Sequence, residues 1–158
     1  MANRQFLEPV DHRLLAELQA NAEITNAALA EKVGLSPSSC LRRVQRLKED
    51  GIILRTVALV DGEKVGQGLR AMVEVMLDHH GGPQRRDFVA RVRQEQAVLS
   101  AWAVTGEPDV VLILSLRDMK DYQRLCERLF TNDANVIRFR SHFVMDSYKD
   151  ETALPTAG

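Results

Sequence analysis

The stretch Thr25–Ile53, TNAALAEKVGLSPSSCLRRVQRLKEDGII, decides the fold of the N-terminal part of the chain. Thr25 stands where a helix N-cap belongs, its hydroxyl able to accept an orphan backbone N–H, and Leu29, Ala30 and Val33 behind it share one helical face. Gly34 ends that helix, because glycine tolerates the left-handed backbone of a sharp exit, and Leu35 can fold back over the junction. Ser36 and Pro37 restart a helix at once, the serine as N-cap and the proline in the first turn, where a missing N–H costs nothing. Two short helices joined by a rigid turn are the pattern of a helix-turn-helix.

At 3.6 residues per turn, the second helix of the pair carries Cys40, Leu41, Val44 and Leu47 on an apolar stripe expected to face the core. Ser38, Ser39, Arg42, Gln45 and Arg46 fall on the opposite stripe. Small hydroxyls in the first turn let a helix end approach a phosphate or a base edge, and arginines one and two turns later supply forked donors for guanine or phosphate oxygens. Arg43 lies at the edge of this face and reads as a phosphate contact. An arginine-rich face on an isolated helix is usually just solvated. Here the capped, glycine-turned context favours double-stranded DNA as the partner.

Working outward, Asp11–Ala20 (DHRLLAELQA) has Leu14, Leu15 and Leu18 at helical spacing and Asp11 as a cap, which supplies a third helix. Ile52–Val60 is rich in β-branched residues and reads as a strand or small wing, completing a winged helix-turn-helix. Met1–Pro9 reads as an unanchored tail.

The formal net charge is −1, so bulk electrostatics do not drive nucleic-acid binding. Residues 1–60 hold eight Lys or Arg against seven Asp or Glu, which confines the basic character to Arg42, Arg43, Arg46 and Lys48. One copy of so small a patch binds weakly, since each phosphate neutralised contributes a modest counterion-release term. Useful affinity therefore calls for an oligomer reading repeated half-sites.

A polar, glycine-bearing connector, Asp61–Gly68, leads into a second pattern. Ala71, Val73, Val75 and Leu77 alternate as in a strand; Phe88, Val89 and Val92 make a helical face; two strands, Val98–Thr105 and Val110–Leu116, flank the turn GEPD. Asp118–Phe130 is helical again and Val136–Met145 forms the last strand. The resulting fold class is α+β, with a C-terminal ferredoxin-like βαββαβ domain whose antiparallel sheet has helices on one face. The other sheet face, with Trp102, Ile113 and Val136 expected to help line it, is hidden most simply by a second copy, so a homodimer at least is expected. The chain thus divides into a DNA-binding domain at 1–60, a linker at 61–68, a sheet domain at 69–150 and a tail at 151–158.

Cys40 and Cys126 sit in separate helices and suggest neither disulfide nor metal. His79 and His80 precede Gly81 and Gly82 without a partner at ligand spacing, so no metal site is expected and the pair reads as a polar loop. No converging set of nucleophile, base or metal groups is visible, so an enzyme is not expected. Neither a membrane-crossing apolar run nor a leader is present, and a cytoplasmic protein is expected.

The chain from about Val10 to Lys149 resembles the Lrp/AsnC, or feast/famine, transcriptional regulators. The resemblance is carried by VDHRLLAELQANAEITNAALAEKVGLSPSSCLRRVQRLKEDGII, by VTGEPDVVLIL with its glycine-and-aspartate turn, and by HFVMDSYK at the last strand. It implies a transcription factor whose sheet domain dimerises, assembles into rings that are often octamers, and binds a free amino acid or related metabolite between dimers, with no other cofactor. It also implies that Ser36, Ser38, Ser39, Arg42, Arg43 and Arg46 meet DNA, together with Thr25 and Asn26 at the start of the helix pair. The effector would lie against Thr105, Gly106, Glu107 and Asp109 and, from a neighbouring subunit, His142 and Met145. Gly106 can offer open backbone N–H groups to an α-carboxylate, and Glu107 or Asp109 can pair with an α-ammonium. His142 and Phe143 alternate onto opposite sheet faces, so only one of them lines a pocket. An effector-independent, nucleoid-type DNA-organising protein would share every helix-turn-helix feature and is the alternative reading.

Overall fold

The computed structural model describes residues 7–79 and 81–156. Most of the expected N-terminal tail, together with His80 and the last two residues, lies outside the described residues. The chain packs as two units, one running to Ala58 and taking in the segment from Lys149 onward, the other spanning Leu59–Tyr148.

The first unit is built on α1 (Pro9–Ala20), α2 (Asn26–Val33) and α3 (Pro37–Glu49). The α2–α3 junction follows its sequence closely. Thr25 Oγ1 accepts the N–H of Ala28 at 3.3 Å, and Ser36 Oγ accepts that of Ser39 at 3.3 Å. Gly34 sits at φ 73°, a conformation costly for any residue with a Cβ, and the N–H of Leu35 returns to the carbonyl of Ala30 at 2.8 Å. Leu14, Leu29, Ala30, Val33, Cys40 and Leu47 are each at most 3% exposed and form the core.

Four expectations for this unit need correction. Helix α1 begins two residues before Asp11, which is therefore not its N-cap but its third residue, accepting the N–H of Glu8 on Oδ2 at 3.1 Å. Leu7 and Val10 pack against the core, so the chain is already anchored before Asp11. Leu41 is not core: it follows Cys40 by one residue, about 100° around the helix, and is 58% exposed. Residues 54–60 form no strand and pair with none of the strands among the described residues; Leu54, Val57, Leu59 and Val60 are all exposed. Only Ile52 and Ile53 fold back, their N–H groups meeting the Leu47 carbonyl at 2.9 and 3.0 Å.

The C-terminal segment is likewise not a loose tail. Leu154 and the Gln19 side chain exchange two hydrogen bonds, Leu154 N–H to Oε1 at 2.7 Å and Nε2–H to the Leu154 carbonyl at 3.0 Å. Thr156 Oγ1 donates to the His12 carbonyl at 3.4 Å. The segment from Lys149 thus packs as part of the first unit, on α1.

The second unit contains β1 (Leu69–Leu77), α4 (Gly82–Gln94), β2 (Val98–Ala103), β3 (Val110–Leu116), α5 (Met119–Cys126) and β4 (Val136–Phe143). All pairings are antiparallel, in the order β2-β3-β1-β4, which is the ferredoxin-like arrangement. Residues 61–67, expected as a connector, form a compact turn in which Asp61 Oδ1 accepts the N–H of Glu63 at 3.1 Å. Ala71, Val73, Val75 and Leu77 of β1 and Val110, Leu112, Leu114 and Leu116 of β3 pack under Phe88 and Val92 of α4 and Leu125 of α5. A wider π turn at Glu127–Thr131 adds Leu129 and Phe130 to that layer.

The opposite sheet face is a mosaic. Met72, Val111, Ile113 and Trp102 give it an apolar half, and Glu74, Arg138, Arg140 and His142 a charged half, as the strand registers dictate. Val136 is not on it. A register shift at Met76/Leu77 sets Val136 opposite Leu77, on the helix side, and Val136 packs against the core there. His142 and Phe143 do take opposite faces: Phe143 meets the Tyr122 ring edge-on at 4.9 Å, and the Tyr122 and Ser141 hydroxyls are hydrogen-bonded at 2.6 Å.

Asp11 offers a direct test of what orients α3. Its side chain is 0% exposed and its carboxylate receives Arg43 at 3.1 Å and Arg46 at 2.9 Å. Removing one partner of a buried ion pair leaves the others uncompensated. Because both arginines reach solvent, Asp11→Ala should cost the N-terminal unit about 2–3 kcal/mol, below the fully buried range. Urea unfolding followed by circular dichroism measures it, and an unchanged midpoint would show that the packed leucines alone set the helix.

Candidate nucleic-acid interface and effector cleft

The outward side of α3 presents Ser38, Leu41, Arg42 and Gln45, all in one arc of about 100° at 3.6 residues per turn. Arg42 is exposed and makes no hydrogen bond or ion pair among the described residues. Gln45 Nε2 donates to Glu49 Oε1 at 2.9 Å, and the Ser36 and Ser38 hydroxyls lie 3.3 Å apart. These side chains form the free, polar front of the helix pair.

The remaining residues of the expected interface have structural partners. Arg43 donates to Glu8 at 2.7 Å and to Asp11 at 3.1 Å, and these hydrogen bonds, that to Glu8 first and that to Asp11 second, raise its pKa above the ordinary guanidinium value. Arg46, expected beside Arg42, is turned toward α1 by Asp11. A guanidinium carries five N–H donors, so each arginine keeps some for another acceptor. Asn26 Nδ2 donates to the Pro37 carbonyl at 2.8 Å, clasping the start of α2 to the start of α3. Thr25, Ser36 and Ser39 serve the helix caps described above. Burial pushes the Cys40 thiol pKa up, as expected of a core cysteine.

In the second unit a cleft of about 140 Å³ opens on the charged half of the outer sheet face. It is lined by Glu74, Met76, Glu107, Pro108, Arg138, Phe139 and Arg140. Glu74 lies 3.5 Å from Arg140 and 3.8 Å from His142, and Arg138 reaches the Met76 sulfur at 3.0 Å. Two carboxylates and two guanidiniums around one small volume suit a zwitterion, whose carboxylate and ammonium need opposite charges within reach.

Of the expected effector residues, Glu107 lines this cleft and His142 borders it through Glu74. Thr105 and Gly106 are exposed in the adjoining turn, with Gly106 at φ 85°. Asp109 is engaged inside the fold: its Oδ2 accepts the N–H of Leu77 at 2.8 Å, and its own N–H meets the Val75 carbonyl at 3.1 Å. Met145 is 99% exposed beyond the end of β4 and does not line the cleft. Glu74, Arg138 and Arg140 line the cleft and were not among the expected residues. Their signal was present, because charged residues alternating with apolar ones on two strands point to the same sheet face.

His79 is fixed by its backbone, donating its N–H to Asn135 Oδ1 at 2.8 Å, and its ring lies 3.2 Å from Asp78. No group of three His, Cys, Asp or Glu stands at metal-holding distance among the described residues. No helix among them is long and apolar enough to cross a membrane.

Comparison with known proteins assigns both units. The profile of a winged helix-turn-helix DNA-binding domain matches residues 7–53, and that of the Lrp/AsnC ligand binding domain matches residues 70–154. The chain is 37% identical over 150 residues to the DNA-binding transcriptional activator DecR of Escherichia coli K12, a match covering 95% of this chain and 99% of that one. It resembles the crystal structure of a transcriptional regulator of Neisseria meningitidis in complex with L-Met, with a TM-score of 0.90 at 37% identity over 95% of this chain and 97% of that one. A feast or famine regulatory protein of M. tuberculosis complexed with L-methionine aligns with a TM-score of 0.84 at 30% identity, over 93% and 97% of the two chains. With profiles matched in both units and relatives matched along nearly their whole length, this chain belongs to the Lrp/AsnC family of DNA-binding transcriptional regulators.

Proposed function

We propose that the chain represses or activates transcription as a homo-oligomer whose α3 helices enter successive major grooves, and that a free amino acid bound at the outer sheet face controls it. The observation that carries the DNA half is the free front of α3, where Arg42 is held back by no intramolecular partner. Arg42 and Gln45 are placed to read base edges, while Ser38 is small enough to let the helix approach. Arg43 and Arg46 position α3 against α1 and offer their remaining donors to phosphates. Such a protein works in the cytoplasm, where its DNA is.

The effector half rests on the cleft. At about 140 Å³ it is smaller than the 300–1,000 Å³ typical of ligand pockets, and it sits on the sheet face opposite the helices of its own unit. A second copy laid on that face would close the cleft and bury Trp102, which is 52% exposed. Arg138 and Arg140 would hold the α-carboxylate, with Glu74 and Glu107 for the α-ammonium. The two relatives solved with methionine support an amino acid as the class of ligand. A ligand seated between copies changes DNA binding only by favouring one assembly state over another.

Two outcomes follow. Arg42→Ala should leave the melting temperature unchanged yet weaken specific DNA by about 1–3 kcal/mol and relax base preference, whereas Arg46→Ala should lower both stability and affinity. Gel-shift titrations paired with thermal melts separate the two, and loss of stability in Arg42→Ala would refute the assignment. A thermal-shift screen of the amino acids should find at least one that raises the melting temperature of the wild-type chain but not of Arg138→Ala. The same compound should alter the gel-filtration profile; if no amino acid stabilises the protein, the effector assignment fails.

A further inference from the structure

Leu41 is the one apolar side chain on the free front of α3, and packing does not explain its place. The core beneath is complete: Leu14, Leu29, Val33, Cys40 and Leu47 are each at most 3% exposed, while Leu41 is 58% exposed. Single exposed leucines are common on protein surfaces and by themselves mean nothing. This one stands within the arc of Ser38, Arg42 and Gln45, all of them exposed. Ser38 precedes it by nearly one turn and is small, so the leucine tip can advance without obstruction. Among groups in the major groove, the thymine C5-methyl is the apolar one, and it distinguishes A·T from T·A and from both G·C orientations.

We propose that Leu41 reads thymine, its tip against the C5-methyl of a base in each half-site, while the polar side chains beside it set the register. The inference rests on the reading of α3 as the groove-entering helix. It makes Leu41 a specificity-determining residue and requires a thymine within one or two steps of the base met by Arg42.

The test needs no known operator. Duplexes are enriched from a randomised pool by the full wild-type chain, and each thymine in the winner is replaced singly by deoxyuridine, which removes only the methyl. The wild-type chain should lose about three- to fivefold in affinity at one thymine per half-site, the worth of one buried methyl group. Leu41→Ala should melt as the wild type does, bind the unmodified duplex more weakly by at least that factor, and be indifferent to deoxyuridine there. If wild-type binding tolerates deoxyuridine at every position, or Leu41→Ala keeps the same penalty, thymine reading by Leu41 is wrong while groove binding stands. A changed gel-filtration profile of Leu41→Ala with an unchanged deoxyuridine penalty would assign the side chain to a contact between copies and overturn the proposal. Failure of the wild-type chain to enrich any duplex would sink the groove-binding reading itself.

Discussion

A carboxylate with no solvent exposure, shared by two arginines of another helix, is the constraint on which the N-terminal unit turns. Asp11 comes from the first turn of α1, and Arg43 and Arg46 come from consecutive turns of α3. Leucine packing specifies that α1 and α3 touch, but apolar contacts are non-directional and tolerate sliding. A carboxylate receiving two guanidiniums does not, because each hydrogen bond has a narrow range of length and angle. The pairing therefore sets the azimuth of α3, and with it which residues look outward. Arg42, Ser38, Leu41 and Gln45 are on the front because Arg43 and Arg46 are held at the side. Asn26 on the Pro37 carbonyl fixes the other helix against the same end of α3. The proposed DNA-facing side is thus oriented by contacts within its own unit.

The second unit solves a different problem, that of a sheet with helices on only one side. Its helix face is largely apolar and closed by Phe88, Leu125 and Phe130. Its outer face is divided, apolar where β3 and β2 run and charged where β1 and β4 run. A wholly apolar outer face would associate without selectivity, and a wholly charged one would stay bare. The division sets an apolar surface beside a charged one, and the proposed association and zwitterion binding both rest on it. β4 serves both faces by alternation, carrying Arg140 and His142 outward while Ser141 and Phe143 meet Tyr122 on the helix side.

Local chemistry was legible in the sequence. Thr25, Gly34, Ser36 and Pro37 act within a turn of where they stand, and the alternation in β1 and β3 needs only a period of two. Long-range pairing was not. Asp11 lies 32 and 35 residues from its arginines, and nothing in a helical projection distinguishes an arginine that faces water from one bent back onto a neighbour. The same blindness put Leu41 in the core, because a stripe drawn from four apolar residues is wider than the groove that receives it. Val136 was misplaced by a bulge that shifts the register by one residue, enough to exchange the faces. Asp109 shows the limit for sites: a carboxylate in a glycine turn satisfies a strand end and a ligand equally well on paper, and here it holds the N–H of Leu77. The cleft itself needed the sheet order, which brings Glu74 beside Arg138 and Arg140 from sixty-odd positions away along the chain.

The two free edges of the sheet are not alike. β4 presents Arg138 and Arg140, and charged side chains discourage another strand from adding on. β2, with the sequence VLSAWA, has no charge at all, and Leu99 and Trp102 are more than half exposed. A single chain therefore carries one guarded rim and one adhesive rim. An uncharged edge strand is a template for stray strand addition, so whatever covers β2 also guards the chain against fibres.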